Sequence, residues 1–358
     1  MIGEEKILLV GFITSFLVVL LSTPALINVA VKKMLVDEPD EKRKLHKASI
    51  PSVGGIIIFA ATLFSYALWF PASRQGGQTV INSDLKYIVA TLLILFFVGI
   101  KDDIIGTSPV KKLVAHFIVG LILVTMADIR LTSMHGLFGI QALPDWASVF
   151  LSLFTFIVIS NAFNLIDGID GLAAGIGLIT CVAFGIWFFI AGELTYASLA
   201  FALAGSLLAF LIFNFYPAKI FMGDSGALII GLIVSILAIK MIEFPRNHLP
   251  PDLMGLSKPV FAIAVLIYPL FDTLRIFINR TVRGQSPFAP DNKHMHHRLL
   301  KIGLSQRQTV LTLYFVNILI ISLAVVTMGL EASYSLYIVG GTAIVLAQIP
   351  FFIKKKFD

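Results

Sequence analysis

The sequence predicts an all-α, multi-pass integral membrane protein, and three observations carry that reading. Of its 358 residues, 58% are hydrophobic and 13% charged, with a mean hydropathy of +0.93; ordinary soluble domains run at about half apolar and a quarter charged. The apolar residues gather into runs close to the length, about 17–25 residues, that a helix needs to cross a hydrocarbon core. Lys and Arg are shared unequally between alternate loops, the asymmetry that orients membrane helices.

About eleven runs qualify as transmembrane helices, near 7–30, 53–71, 85–100, 113–127, 146–165, 171–190, 195–213, 225–243, 259–279, 309–328 and 334–353. The first is led by Glu4 and Glu5 and is too long for the apolar region of a secretory leader, so a retained span is expected. The third and fourth are short, which predicts spans that are tilted or partly buried in protein. An odd number of spans puts the termini on opposite sides. The loops and span ends after runs 1, 3, 5, 7 and 9, with the C-terminus, hold 20 of the 27 Lys and Arg residues. Those loops and the C-terminus are therefore expected to be cytoplasmic, and the N-terminus outside. The closing KKKF needs only this rule and attraction to anionic lipid.

The chain is expected to form one membrane-embedded domain over 1–358, with working loops near 32–52, 101–112, 164–170, 214–225 and 280–308. The lone Cys181 sits in an apolar run, so no intrachain disulfide can form and a buried small hydrophobe is expected. No GxxxxGK[ST] pattern is present, and no GxGxxG follows a strand, so a bound phosphate would be held by metal and side chains. Nothing points to nucleic acid as a partner.

Four polar groups interrupt the apolar pattern, all on the side expected to be cytoplasmic. GIKDDIIGTSPVKK carries Asp102, Asp103, Lys111 and Lys112; NAFNLIDGIDGLAAGIG carries Asn164, Asp167 and Asp170; NFYPAKIFMGDSGAL carries Asn214, Lys219 and Asp224; PDNKHMHHRLLKIG carries Lys293, His294, His296, His297 and Arg298. Each has a structural alternative. A solvated loop would suffice for Asp102 and Asp103 alone. At i, i+3 spacing Asp167 and Asp170 would share one helix face, where they repel unless a cation or donors compensate. Asp224, flanked by Gly223 and Gly226, reads as a tight turn feeding a helix, with N-capping as its structural role. HMHH could suggest zinc, but it lacks a Cys partner and the carboxylates suit a harder cation.

Convergence on one side argues against an ion-coupled transporter, whose carboxylates belong near the bilayer midplane and whose halves often repeat. A scaffold protein would have no need of all four groups. Carboxylates with amide oxygens suit Mg²⁺, which takes one or two carboxylates and completes its shell with water and phosphate. Basic side chains nearby, Lys219 among them, would neutralise further phosphate oxygens. Such a set describes a diphosphate site where a soluble nucleotide can meet a membrane-embedded partner.

From HKASIPSVGG at 46–55, through KDD at 101–103, NAFNLIDGIDGLAAG at 161–175 and NFYPAKIFMGDSGAL at 214–228, to HMHHRL at 294–299, the chain resembles the polyprenyl-phosphate N-acetylhexosamine-1-phosphate transferases. The peptidoglycan translocase of that family carries three adjacent histidines. Here Met295 interrupts the run, which resembles the branch acting on undecaprenyl phosphate with N-acetylglucosamine 1-phosphate. The CDP-alcohol phosphotransferases fit poorly, because Leu-Ala-Ala-Gly follows Asp170-Gly171 where they require Ala-Arg.

The resemblance implies transfer of N-acetylglucosamine 1-phosphate from UDP-N-acetylglucosamine to undecaprenyl phosphate, with Mg²⁺ as cofactor, Mn²⁺ as a substitute, and a homodimer within the membrane lipid. It implies Asp224 as a direct Mg²⁺ ligand, with Asn214 near the nucleotide or the metal shell. Asp102 and Asp103 would be an essential acidic pair that contacts metal, deprotonates the lipid phosphate or orients a lysine, with Lys111 or Lys112 offsetting their charge. Asn164, Asp167 and Asp170 would serve the nucleotide sugar. His294, His296, His297 and Arg298 would contact the diphosphate or sugar, and Lys47 and Ser52 would flank the site.

Overall fold

The structure is a computed structural model that describes residues 4–33, 36–37, 50–71, 73–75, 78–80, 84–282, 284 and 294–353. The apolar runs become helices: α1 (Glu4–Lys32), α2 (Gly54–Leu68), α3 (Asp84–Ile105), α4 (Pro109–Leu121, continued by a π-helical turn over Ile122–Met126), α5 (Asp145–Ile166), α6 (Leu172–Ile190), α7 (Leu194–Asn214) and α8 (Gly223–Ile242). They are followed by the short α9 (Pro251–Met254), α10 (Lys258–Val265), α11 (Ile267–Val282), α12 (Met295–Lys301), α13 (Gln306–Val326) and α14 (Ala332–Phe352). Two short antiparallel ladders, β1 (Val36–Asp37) with β2 (Ile50–Pro51) and β3 (Ser73–Gln75) with β4 (Gln78–Val80), lie in the connections on either side of α2.

Among those residues, 8 helices are long and apolar enough to cross a membrane, or 9 when the bent pair α10 and α11 counts as one. The other two runs fall short for different reasons. α2 has 15 residues. α3 has 22, but charged residues sit at both its ends: Asp84 and Lys86 at one, Lys101, Asp102 and Asp103 at the other.

The centre of the bundle is α8. Every residue from Ser225 to Ile239 is buried, because this stretch is apolar on all sides and so presents no face to solvent. Helices α2, α3, α5 and α6 pack on it, while α1 packs on α7 and α2. Small residues let backbones approach closely: a Cβ added at Gly231 would lie 2.6 Å from Ser160 Cα.

Three features differ from the sequence expectation. Run 259–279 is not one straight span. Pro269 lacks an N–H and its ring collides with the carbonyl four residues back, at Val265; α10 ends there, and α11 resumes at Ile267 with a bend of 74°. Second, α3 runs on through Lys101–Ile105, and α4 begins at Pro109 after Ser108, so the acidic pair and Lys112 sit on helices instead of in a free loop. Third, Asp167 and Asp170 do not share a helix face. Helix α5 stops at Ile166, and residues 167–171 form a turn that Gly171 closes at φ 81°.

Candidate active site

Six polar side chains from the helix ends meet at one end of the bundle. Helices α3 and α5 finish there, and α4 and α8 begin there. The Lys112 ammonium, near the start of α4, is held between the carboxylates of Asp102, on the last turn of α3, and Asp224, on the first turn of α8. Asn164, on the last turn of α5, hydrogen-bonds the Asp224 carboxylate through its side chain.

Asp103 plays a different part from its neighbour. Its Oδ1 accepts the Asp224 N–H at 2.7 Å, and its Oδ2 accepts the Ser225 N–H at 3.1 Å and the Ser225 hydroxyl at 2.6 Å. A helix start leaves amides unsatisfied and carries partial positive charge, and an anion there answers both. Gly223, at φ 73°, is required by this arrangement: a Cβ on it would lie 2.7 Å from the Asp103 carboxylate oxygens and 2.8 Å from the Ser52 carbonyl.

The segment ending in IPSVGG braces the same turn from the other side. Phe221 N–H donates to the Pro51 carbonyl at 2.7 Å, and Gly54 and Gly55 N–H donate to the carbonyls of Phe221 and Met222 at 2.9 and 2.8 Å. Gly55 permits the contact, since a Cβ there would come 2.2 Å from the Gly226 nitrogen. Ser52 therefore lies against the site, while Lys47 lies outside the described residues.

Asp167, half-buried at the end of α5, faces the acidic cluster. Burial first, and then the negative charges of Asp224, Asp103 and Asp170, push its carboxyl up to about 8. Asp170 turns the other way: it is buried, and its Oδ2 accepts the Ala218 N–H at 2.9 Å. Asn214 is buried beside it, its Oδ1 accepting the Gly171 N–H at 3.0 Å and its Nδ2 donating to the Ile220 carbonyl at 2.9 Å. These two side chains brace the 215–222 segment against the 167–171 turn.

The histidines join through Gly168. A Cβ on Gly168 would lie 2.8 Å from His296 Nε2, so the ring packs directly against the turn that carries Asp167. The His294 and His296 rings stack with centroids 5.3 Å apart, and His297 lies 4.3 Å from His296. His296 is fully buried, and among the described residues neither of its ring nitrogens has a hydrogen-bond partner. Burial and the neighbouring His297 lower its pKa to about 3, so the ring is neutral.

The glycosyl transferase family 4 profile matches residues 85–242. A Bacillus subtilis protein named "Probable undecaprenyl-phosphate N-acetylglucosaminyl 1-phosphate transferase" is 31% identical over 372 residues, covering 100% of this chain and 96% of the relative. The Salmonella typhi "Undecaprenyl-phosphate alpha-N-acetylglucosaminyl 1-phosphate transferase" is 30% identical, covering 91% of this chain and 84% of its own. A "Decaprenyl-phosphate N-acetylglucosaminephosphotransferase" from Mycolicibacterium smegmatis is 32% identical, covering 87% and 79%. The chain belongs to glycosyl transferase family 4.

In this family 4 protein, Asp102, Asp103, Lys112, Asn164, Asp167 and Asp224 come together, whereas Asp170 and Asn214, expected to serve the nucleotide, brace the neighbouring turn instead. Lys111 and Lys219 are exposed. Arg298 is engaged by the end of α14, its Nε donating to the Pro350 carbonyl at 2.9 Å and its Nη2 to that of Ile353 at 2.8 Å. That is the cation position that favours a helix C-terminus.

For a hard cation, the available donors of the family 4 site are the oxygens of Asp102 and Asp224 on either side of the Lys112 ammonium. Among the described residues no group of three or more His, Cys, Asp or Glu forms a metal cage. Such a donor set is the kind Mg²⁺ uses when water and phosphate complete its shell.

Two further side chains support the site without standing out in the sequence. His116, one turn beyond Lys112, donates from Nδ1 to the Lys112 carbonyl at 2.7 Å, and its Nε2 meets the Ser160 hydroxyl at 3.0 Å, tying α4 to α5 one turn before Asn164. Its signal was the i, i+4 spacing from Lys112. The Tyr314 hydroxyl, on α13, donates to the Gly171 carbonyl, and a single tyrosine in an apolar run gives no sign of that.

Proposed function

We propose that the chain transfers N-acetylglucosamine 1-phosphate from UDP-N-acetylglucosamine to undecaprenyl phosphate, releasing UMP and leaving the lipid-linked diphosphate sugar that starts a cell-envelope polysaccharide. The observation that carries the reading is the meeting of Asp102, Lys112, Asn164 and Asp224, from four helices, at one end of an apolar bundle. A soluble nucleotide and a lipid phosphate both have access to such a position. The names of the full-length relatives supply the acceptor and the sugar phosphate. The excess of Lys and Arg in the loops at this end supports a cytoplasmic site, with the N-terminus outside. In that topology α2, α3 and the bent pair complete eleven spans.

In the proposed reaction an oxygen of the lipid phosphate attacks the β-phosphorus of the donor, the bond from that phosphorus to the oxygen bridging the α-phosphate breaks, and UMP departs with the electron pair. With a second pKa of about 6, a phosphate monoester is largely dianionic at neutral pH. A base is therefore optional, and positioning with charge neutralisation carries the acceleration. Lys112 contributes positive charge beside Asp102 and Asp224. Asp103 keeps Asp224 in register by anchoring the first turn of α8. Asn164 fixes the Asp224 carboxylate from the α5 side, and the histidines wall the site next to Gly168. Asp224, with Asp102 beside it, would hold Mg²⁺ or Mn²⁺, whose charge offsets that of the diphosphate.

The test is to incubate purified protein with undecaprenyl phosphate, Mg²⁺ and a panel of UDP-sugars and to measure UMP. Release with UDP-N-acetylglucosamine is expected. Release only with UDP-N-acetylmuramoyl-pentapeptide would move the chain to the peptidoglycan branch. Turnover that survives removal of divalent cations would sink the Mg²⁺ assignment.

A further inference from the structure

A carboxylate buried in the bent span takes no part in the acidic cluster. Asp272 lies on α11, in a stretch otherwise read as membrane-crossing, and is 1% exposed. An ionised group in such a place is unfavourable unless its oxygens are satisfied. Both are: Oδ2 is 2.7 Å from His294 Nδ1, and Oδ1 accepts the Met295 N–H at 2.7 Å. Arg275, one turn on, adds its Nη1 at 3.8 Å from Oδ1.

We propose that Asp272 is a positioning residue that fixes the tautomer and orientation of His294 and, through ring stacking, aligns the histidine cluster for the transfer. The inference rests on the transferase reading of that cluster.

The chemistry follows from what each atom can do. A carboxylate only accepts hydrogen bonds, so His294 Nδ1 must carry the proton that lies between them. Nε2 is then the nitrogen able to take up or deliver a proton at a substrate, or to accept a hydrogen bond from one. A carboxylate behind an imidazole also locks its plane. That plane is passed on, because the His294 and His296 rings are stacked within 7° of parallel. His296 in turn packs on Gly168, beside Asp167. The Met295 N–H bond adds a second restraint: Asp272 holds the backbone at the start of α12 as well as the ring before it. One buried carboxylate thus sets the ring, its proton and the helix that presents the other two histidines.

Asp272→Asn tests this, because the amide keeps the shape but presents an N–H where His294 needs an acceptor. The expected result is a fall in kcat on the order of 10²-fold, the range of one proton-handling group, with the KM for UDP-N-acetylglucosamine changed less than about twofold. Asp272→Asn combined with His294→Gln should be no slower than His294→Gln alone, since the two act as a unit. NMR of isotope-labelled histidine in the wild-type protein, with His294→Gln to assign the signal, should place the His294 proton on Nδ1. That measurement does not require Asp272→Asn to fold. Losses that simply multiply in the double variant, wild-type turnover in Asp272→Asn, or a His294 proton on Nε2 would each overturn the proposal. Should the wild-type protein release no UMP from any UDP-sugar, the transferase reading fails separately, and the NMR signal still decides the tautomer.

Discussion

Asp103 grips Ser225 twice, through the backbone N–H at 3.1 Å and the hydroxyl at 2.6 Å, while Asp102 beside it turns to Lys112. Two adjacent carboxylates thus perform separable tasks. Asp103→Ala should lower the melting temperature in detergent, corresponding to about 1–3 kcal/mol for a charge-assisted cap left unmade, and should lower activity with it. Asp102→Asn should leave the melt close to wild type yet reduce UMP release on the order of 10²-fold. Equal melts for the two variants would remove the distinction.

Lys112 occupies the space between two carboxylates that a divalent cation would also claim. Lys112→Met should therefore bind Mn²⁺ more tightly, because a competing positive charge has gone, while transfer slows on the order of 10²-fold. Metal titration and UMP release on one preparation give both numbers. A variant that binds Mn²⁺ more weakly than wild type would show that Lys112 helps to assemble the cation site instead of competing for it.

Gly168→Ala adds one methyl where the nearest neighbour is His296 Nε2 at 2.8 Å. The ring is fully buried and has little room to retreat, so overpacking of about 1–3 kcal/mol is expected. Activity should fall further than the melt suggests, because the displaced ring belongs to the histidine cluster. Thermal melts and steady-state kinetics compared on the same variant check this.

The Asp167 carboxyl is raised from 3.8 to about 8, by burial first and then by Asp224, Asp103 and Asp170. An acid whose pKa rises on folding stabilises the fold fully below 3.8 and loses that contribution as pH climbs through about 8. The melting temperature of cation-free protein should therefore decline across that interval, and Asp167→Asn, which does not ionise, should flatten the decline. Added Mg²⁺ should recover part of the loss at the alkaline end, since a nearby cation favours the ionised form. Identical pH profiles for wild type and Asp167→Asn would count against the assignment.

The helices were legible in the sequence because most of the apolar runs were long, and the acidic groups were legible because charge at a span end stands out. Their individual duties were not. KDD presents two equivalent carboxylates in sequence, and only the path of α8 makes Asp103 an anchor. The i, i+3 spacing of Asp167 and Asp170 suggested one helix face, but Gly168 and Gly171 let the chain turn, so that one carboxylate faces the cluster and the other grips Ala218. Asp272 falls inside run 259–279, although Pro269 marks the break and a lone acid in an apolar run is itself a signal. The partners of that acid lie beyond the end of α11, and no local pattern joins them.

The contact between Gly168 and His296 also bears on how the protein is made. Chain synthesis delivers the acidic helix ends first and the histidines only after the bent span has left the ribosome. A nascent chain that already holds Asp102, Lys112 and Asp224 still lacks the wall behind Asp167. The centre is therefore completed late in membrane insertion, and a polypeptide stalled before α12 would carry the carboxylates without the imidazole that packs against Gly168.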